Sequence, residues 1–452
     1  MAAASMIDSV VFGGLWSQRD IKALFDEVAR TRAWLEIVAM LAEVEAEYEL
    51  IPAPAAAAIA ACCRALEIDE PFLDELRRGR EASGHSTQGL IRAIQQRLAP
   101  AHAQWVYAGA TVQDVTDTWL MLALREARLI LKRDLEGVAR TLAALAAQHR
   151  DTVMAGRTHG QQGLPITFGF KVAGWLAEVR RHRRRLNEIA PRLDTAQLAG
   201  GVGSLASFGA RGLDLQRRFA ERLGLRAPVI SWTSSRDVLA EWCALLTLVT
   251  GTADRIGHEV VNLQRGEIGE LREGFVAGTV GSITMPHKRN PEIGEHLGTL
   301  ARLVRHLSAA VQEGLVHDHE RDGRAWKTEW HAIPEATMLA GRAVELLGEL
   351  ASHLEVDAPR MRANLDASGG AVLSEAVMLA LAPHLGRDAA HRLMYDLAIA
   401  ARAKGRTLID AVRADVTIAA TLDARQLDEL LDVSRQTGQC AAMVDRVLAD
   451  EP

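Results

Sequence analysis

Between Asp117 and His149 the apolar residues Leu124, Ala127, Leu131, Leu135, Val138, Leu142 and Leu145 recur at gaps of three and four, separated by Arg, Lys, Glu and Asp. That spacing follows one face of a helix and predicts a single element roughly 50 Å long at 1.5 Å per residue. A second helix is expected from Thr167 to Ile189, stopping before Pro191, and a third from Asp237 toward Leu263. A fourth opens at Pro291 with Ile293, Leu297, Leu300, Val304, Leu307, Val311 and Leu315 on one stripe, and a fifth runs from Pro334 to His353. Helices this long bury their stripes against each other and against neighbouring subunits, so the expected fold is all-α, a long-helix bundle within an oligomer. No fixed-period self-similarity points to a helical repeat instead.

Composition agrees with packed helices. The chain has 452 residues, enough for about three domains, and only 8 Phe, 9 Trp and 3 Tyr, so its core is built from Leu, Ala, Val and Ile. Shifts in composition divide it into an N-terminal helical domain (1–108), a central bundle domain (109–355) holding a catalytic loop (266–290), and a C-terminal helical domain (356–452). With 52 basic against 58 acidic residues the formal charge is −6, which supplies no field for a polyphosphate backbone. The basic run Arg180 to Arg185 reads as a solvated helix face or an inter-subunit strip, and nucleic acid is not expected as a partner. Cys62, Cys63, Cys243 and Cys440 form no C-x-x-C pair and read as core thiols of a reducing compartment. The opening MAAASMIDSVVFGG has no basic leader and no stretch reaches 18 uncharged apolar residues, so a cytoplasmic protein without a membrane partner is expected.

The strongest interruption of helical pattern is Gly266 to Asn290, a glycine-rich loop ending at a helix start. Its Gly281-Ser282-Ile283-Thr284-Met285-Pro286-His287-Lys288-Arg289-Asn290-Pro291 places hydroxyls, cations and an amide where helix N-termini attract anions, or else simply caps the helix. Gly156-Arg157-Thr158-His159-Gly160 sets a histidine among small residues before a helix, either a general acid near its working pH or a packed histidine. Gly109-Ala110-Thr111-Val112-Gln113-Asp114 offers Thr111 and Gln113 at the start of the longest helix, to bind an anion or to cap. His85, in Gly84-His85-Ser86-Thr87, is a further acid–base candidate. His317, His319 and Glu320 lack the i, i+4 spacing of a zinc helix, so no metal is expected. Gly201-Val202-Gly203-Ser204-Leu205-Ala206 fits a dinucleotide string, but no strand pattern precedes it, and a tight backbone approach is the better reading.

Taken together these segments resemble the fumarase/aspartase superfamily. GSITMPHKRNP is similar to its signature G-S-S-x-M-P-x-K-x-N-P, departing at Ile283; GATVQDVTDT and GRTHGQQGLPITFGFK resemble its other shared regions, reinforced by QRGEIGEL, GGVGSLASFG and NLDASGGAVLSEAVM. The resemblance spans about Phe12 to Val447 and leans to the branch of adenylosuccinate lyase and 3-carboxy-cis,cis-muconate cycloisomerase. It implies three all-helical domains, a homotetramer with a twenty-helix core, active sites shared between chains, and no cofactor.

The resemblance further implies anti β-elimination from a succinyl-type polycarboxylate, with release of fumarate. Ser282 would be the base, His159 the acid and His85 its partner; Lys288 and Asn290 would bind the carboxylate whose charge grows, while Thr111, Gln113 and Thr158 would hold the other. Arg236, Arg321 and Arg324 would take further carboxylates on the leaving part, or else be salt-bridged structural arginines. The stretch Val11 to Trp16 and the Gly323 to Trp330 continuation of His319-Glu320-Arg321-Asp322 depart from adenylosuccinate lyase, and Trp326-x-x-Glu329-Trp330 looks like the cycloisomerase. The expectation is cleavage of a carbon–nitrogen bond in an N-substituted aspartate or related polycarboxylate, not adenylosuccinate itself. The alternatives are 3-carboxy-cis,cis-muconate cycloisomerase and a silent crystallin-like scaffold.

Overall fold

A computed structural model describes residues 4–274, 284–285 and 287–450. The fold is all-α. Its elements include α1 (Glu27–Glu47), α2 (Val112–Gln148), α3 (Phe168–Glu188), α4 (Asp237–Gln264), α5 (Glu292–Glu313) and α6 (Gly323–Ser352), with a two-stranded ribbon of β1 (Val153–Thr158) and β2 (Gln161–Thr167). The long helices α2 to α5 lie within a few residues of the spans that apolar periodicity predicts. The sixth differs, beginning at Gly323 and carrying Pro334 in its interior. Proline removes one helical hydrogen bond, but burial of Trp326, Glu329, Ala332 and Ile333 on the preceding turns holds the helix through that defect. Among the described residues no single helix is long and apolar enough to cross a membrane.

The chain forms two compact units, each assembled from three stretches. The first comprises 1–134, 182–251 and 299–345; the second comprises 135–181, 252–298 and 346–452. Each of the long helices α2 to α6 contributes a segment to both. Composition divides the chain along its length at 108 and 355, whereas packing divides it across the helices.

In the first unit Asp26 opens α1 by accepting from Ala29 N at 2.7 Å. The inner face of α1, through Leu35, Val38, Leu41 and Ala42, packs with Ile59, Phe72, Ile94, Phe208, Leu215 and Phe219. Each such fully buried large side chain contributes about 1.5–3 kcal/mol. Glu45 lies among them, 1% exposed, with no hydrogen-bond partner for Oε2 among the described residues. Burial pushes its carboxyl up to about 9, so it is neutral at pH 7. The neutral form is the one the fold favours. This contribution to stability is complete below the ordinary value of 4.5 and is lost as pH rises toward 9. Wild-type protein is therefore expected to lose stability by about 1.4 kcal/mol per pH unit from this group over that range. Glu45→Gln is expected to flatten that slope between pH 7 and 9 in urea unfolding; parallel slopes for the two proteins would exclude a buried neutral Glu45.

In the second unit β1 pairs antiparallel with β2, and a bulge intervenes between Ala155 and Arg157. Ala155 packs with Leu365, Val372, Leu373 and Val433, while Val377, Leu381, Met394, Val412 and Ile418 form a separate C-terminal cluster. Helices α4 and α5 approach closely here: a Cβ on Gly257 would lie 3.1 Å from the Cα of Gly294.

Candidate active site

Thr111 directly precedes the first residue of α2. Its N–H donates to Asp114 Oδ2 at 2.8 Å, which is half of a capping box. Asp114 also accepts from the N–H groups of Ala199 (2.8 Å) and Gly200 (3.1 Å), tying the helix start to the Gly200–Leu205 loop. Burial pushes the Asp114 carboxyl up to about 6 despite those three donors. In that loop Gly203 has φ 87°, and a Cβ there would lie 2.6 Å from Ser231 Oγ, which is the tight backbone approach expected of the segment.

The Thr111 hydroxyl is not spent on capping. Its oxygen accepts from Arg321 Nη2 at 3.0 Å, and Arg321 Nε donates to Gln113 Oε1. Thr111, Gln113 and Arg321 are thus brought together within the first unit. Gln113 is fully buried and engaged on all sides, an internal link where the sequence suggests a substrate contact.

Arg236 is 2% exposed and encircled by its own chain. Nη1 donates to Asp117 Oδ2 at 2.8 Å, while Nε (2.9 Å) and Nη2 (2.5 Å) grip Glu329. Its guanidinium also lies 5.1 Å from the Trp232 ring centroid. This is the salt-bridged structural arginine of the two sequence readings, because the buried guanidinium is gripped by Asp117 on one side and Glu329 on the other. Burial opposes the Arg236 charge, but Asp117 and Glu329 outweigh it and hold the guanidinium further above its ordinary value. One guanidinium against two carboxylates leaves a net negative charge, and burial keeps Glu329 above its usual range. Arg324 sits on the surface and pairs with Asp318 (2.5 Å) and Asp322 (2.7 Å). Burial of its partner is the stronger constraint, since Asp322 is almost covered while the Arg324 side chain is 79% exposed.

His85 is exposed, following Gly84, whose φ of 67° ends the preceding helix. Its Nδ1 lies 3.4 Å from Thr87 Oγ1. Tyr107 is a neighbour that the sequence does not single out. Burial and the Asp114 carboxylate push its phenol above the ordinary value, while Thr87 and Arg321 oppose the rise.

In the second unit Thr158 and His159 occupy the exposed tip of the β1–β2 hairpin, with eight residues between His159 and α3, rather than directly against that helix. Thr158 pairs with Gln161, so His159 and Gly160 form a two-residue turn. Both have positive φ, 52° and 73°, as in a type I′ turn. A side chain other than Gly costs about 1 kcal/mol in that conformation, so His159 is presented at a cost in stability.

The hairpin tip is anchored by residues that sequence reasoning overlooks. Arg157 donates to both oxygens of the fully buried Glu270, at 2.6 and 2.8 Å, and Asn364 Nδ2 adds 2.7 Å to the same carboxylate. The three residues stand in GRTHG, GEIGEL and NLDASGG, which share no local pattern that would connect them. Nearby, Gln264 spans the two flanks of the glycine-rich segment: its Oε1 accepts from Glu273 N (2.9 Å) and its Nε2 donates to the Arg289 carbonyl (3.1 Å). Glu273 in turn accepts from Ile293 N (3.0 Å) and Gly294 N (2.6 Å) at the start of α5. Lys288 is exposed, and Asn290 Nδ2 donates to Glu292 at 3.2 Å. Ser282 lies outside the described residues.

The chain belongs to the fumarase/aspartase superfamily of lyases, in the branch of adenylosuccinate lyase and 3-carboxy-cis,cis-muconate cycloisomerase. A family model described as lyase matches residues 14–305, and one described as adenylosuccinate lyase C-terminus matches residues 370–447. The chain is 38% identical over 444 residues to N-acetyl-S-(2-succino)cysteine lyase of Enterococcus italicus, covering 98% of this chain and 97% of that protein. It is also 38% identical to 3-carboxy-cis,cis-muconate cycloisomerase of Pseudomonas aeruginosa, covering 97% and 96%. The crystal structure of 3-carboxy-cis,cis-muconate lactonizing enzyme from Pseudomonas putida superposes with a TM-score of 0.89 at 35% identity, covering 97% of this chain and 98% of that one.

Proposed function

We propose that the chain is an anti-β-elimination lyase that removes a heteroatom substituent from a succinyl-type polycarboxylate and releases fumarate. The observation that carries this reading is the pairing of Thr111 with Arg321. Arg321 occupies an acceptor site of the Thr111 hydroxyl, so its proton turns away to donate elsewhere, beside a guanidinium. That is a receptor for carboxylate at the start of a long helix, where the helix dipole also favours negative charge.

In the proposed reaction Ser282 takes the proton from the carbon next to one carboxylate, and the electron pair passes into that carboxylate to give a dianionic aci form. Lys288 and Asn290 stabilise the new charge. The pair then returns to form the carbon–carbon double bond as the bond from the adjacent carbon to the heteroatom breaks, and His159 supplies the leaving atom with its proton. Thr111 holds the second carboxylate. Each tenfold in rate requires about 1.36 kcal/mol of stabilisation in the transition state, so donors placed where the second charge develops matter more than those on the substrate's resting charges.

Cleavage of a carbon–sulfur bond in an S-succinyl thiol is supported by the relative from Enterococcus italicus. Cleavage of a carbon–nitrogen bond is supported by His159, because a thiolate departs without a proton and an amine does not. The test is to supply matched S-succinyl and N-succinyl substrates and follow fumarate absorbance, with 3-carboxymuconate as a third substrate. Fumarate from either succinyl series supports the lyase; consumption of 3-carboxymuconate alone would assign a cycloisomerase, and no turnover of any would favour the scaffold. His159→Gln is expected to slow the N-succinyl series about 100-fold and the S-succinyl series less than about tenfold. An equal loss in both series would remove His159 from the acid role.

A further inference from the structure

Each hydrogen-bonding atom of the buried Gln113 side chain is engaged within the chain. Nε2 donates to Asp117 Oδ2 (3.2 Å) and to the Thr233 carbonyl (3.1 Å), and Oε1 accepts from Arg321 Nε. The amide cannot be turned over. An ionised Asp117 and a carbonyl only accept, and Arg321 Nε only donates, so the NH2 must face the first pair and the oxygen must face the arginine. Asp117 is itself held by Arg236 Nη1 and by Trp326 Nε1 at 3.3 Å. On the other side of the guanidinium, Arg321 Nη2 donates to Thr111 Oγ1 and to the Gly201 carbonyl (3.3 Å). Among the described residues Nη1 makes no hydrogen bond.

We propose that Gln113 is a positioning residue that does not touch the substrate but aims Arg321 Nη1 at a carboxylate on the leaving part, so that the site selects leaving groups carrying one. The inference rests on the lyase reading above and names its substrate class. A guanidinium held along Nε and Nη2 by a fixed amide, a hydroxyl and a carbonyl loses little freedom when a ligand binds, whereas an untethered arginine must be ordered by the ligand itself.

The test uses the full chain and Gln113→Met, which keeps side-chain length and removes the amide. Two S-succinyl thioethers are compared, one releasing N-acetylcysteine, which has a carboxylate, and one releasing N-acetylcysteamine, which has none. Gln113→Met is expected to raise KM for the first about 30-fold with kcat within about threefold, and to leave KM for the second unchanged. Arg321→Met should raise KM for the first thioether at least as far, and for that substrate the double variant should be no worse than Arg321→Met alone. Equal losses for both thioethers, or additive losses in the double variant, would overturn the proposal. Calorimetric binding of tricarballylate and succinate gives a readout without turnover: wild type should prefer the tricarboxylate about 30-fold and Gln113→Met should not. Such a preference in a wild type that releases no fumarate would overturn the lyase reading and leave the positioning of Arg321 standing; no preference in wild type would overturn the positioning itself. Should Gln113→Met fail to fold, Gln113→Asn takes its place, because the side chain shorter by one methylene keeps an amide but withdraws its oxygen from Arg321 Nε. It should weaken the same carboxylate preference, and an unaltered preference would overturn the proposal.

Discussion

Ser282→Ala is expected to lower fumarate release by about 10³-fold or more while leaving the folded assembly intact, because it removes the proposed proton acceptor by exchanging one hydroxyl for a hydrogen. A loss of that size corresponds to about 4 kcal/mol of transition-state stabilisation. A free serine hydroxyl is far too weakly acidic to act as a base at neutral pH, so the expectation includes a condition on its surroundings. Cations and N–H groups of the signature segment must favour the alkoxide, and Lys288 is the cation of that segment proposed to sit nearest the growing charge. Turnover measured under saturating substrate, with sedimentation and thermal unfolding as controls, checks the expectation. Activity within tenfold of wild type would assign the base to another residue.

Arg236→Met is expected to cost about 3–5 kcal/mol of stability, the range for removing one partner of a buried ion pair. Asp117 and Glu329 would then face each other without a counter-charge. The effect has a defined pH dependence. Glu329 is already raised above 4.5 by burial, with Arg236 opposing the rise, so losing the guanidinium raises it further. For carboxyls with folded-state values above the unfolded ones, stability is complete below the unfolded value and is lost as pH rises. The deficit of Arg236→Met relative to wild type should therefore be smaller at pH 5 than at pH 8 in urea unfolding. An equal deficit at both would mean that the lost packing over Trp232, rather than the uncompensated charge, dominates. Arg236→Lys should recover part of the stability, since an ammonium retains the charge but not the two-sided fork.

Much of the fold was legible because a 3.6-residue period survives in sequences of Leu, Ala and Val, and α2 to α5 carry it over many turns. The start of α6 was not, since Pro334 is a local stop signal and only the burial of Trp326 and Glu329 shows that the helix runs through it. The β1–β2 hairpin was also hidden. Its tip uses His-Gly where Asn-Gly would announce a turn, and its bulge breaks the alternation by which a strand is read.

The candidate site divides in the same way. Sequence alone placed the chain in its superfamily and supplied the residues able to carry elimination chemistry, because signature spacing and side-chain type are properties of the chain read in order. Only the tertiary structure decided which of those polar groups are still available. Arg236, Arg321 and Arg324 are equivalent as letters, yet one is enclosed by two carboxylates, one is held with Nη1 unengaged among the described residues, and one pairs on the surface. Gln113 likewise passes from ligand to positioning residue once Asp117, Thr233 and Arg321 surround it. The reason is physical: a buried polar group must find its partners inside the protein, and partners such as Thr233 and Arg321 for Gln113 come from segments more than a hundred residues away.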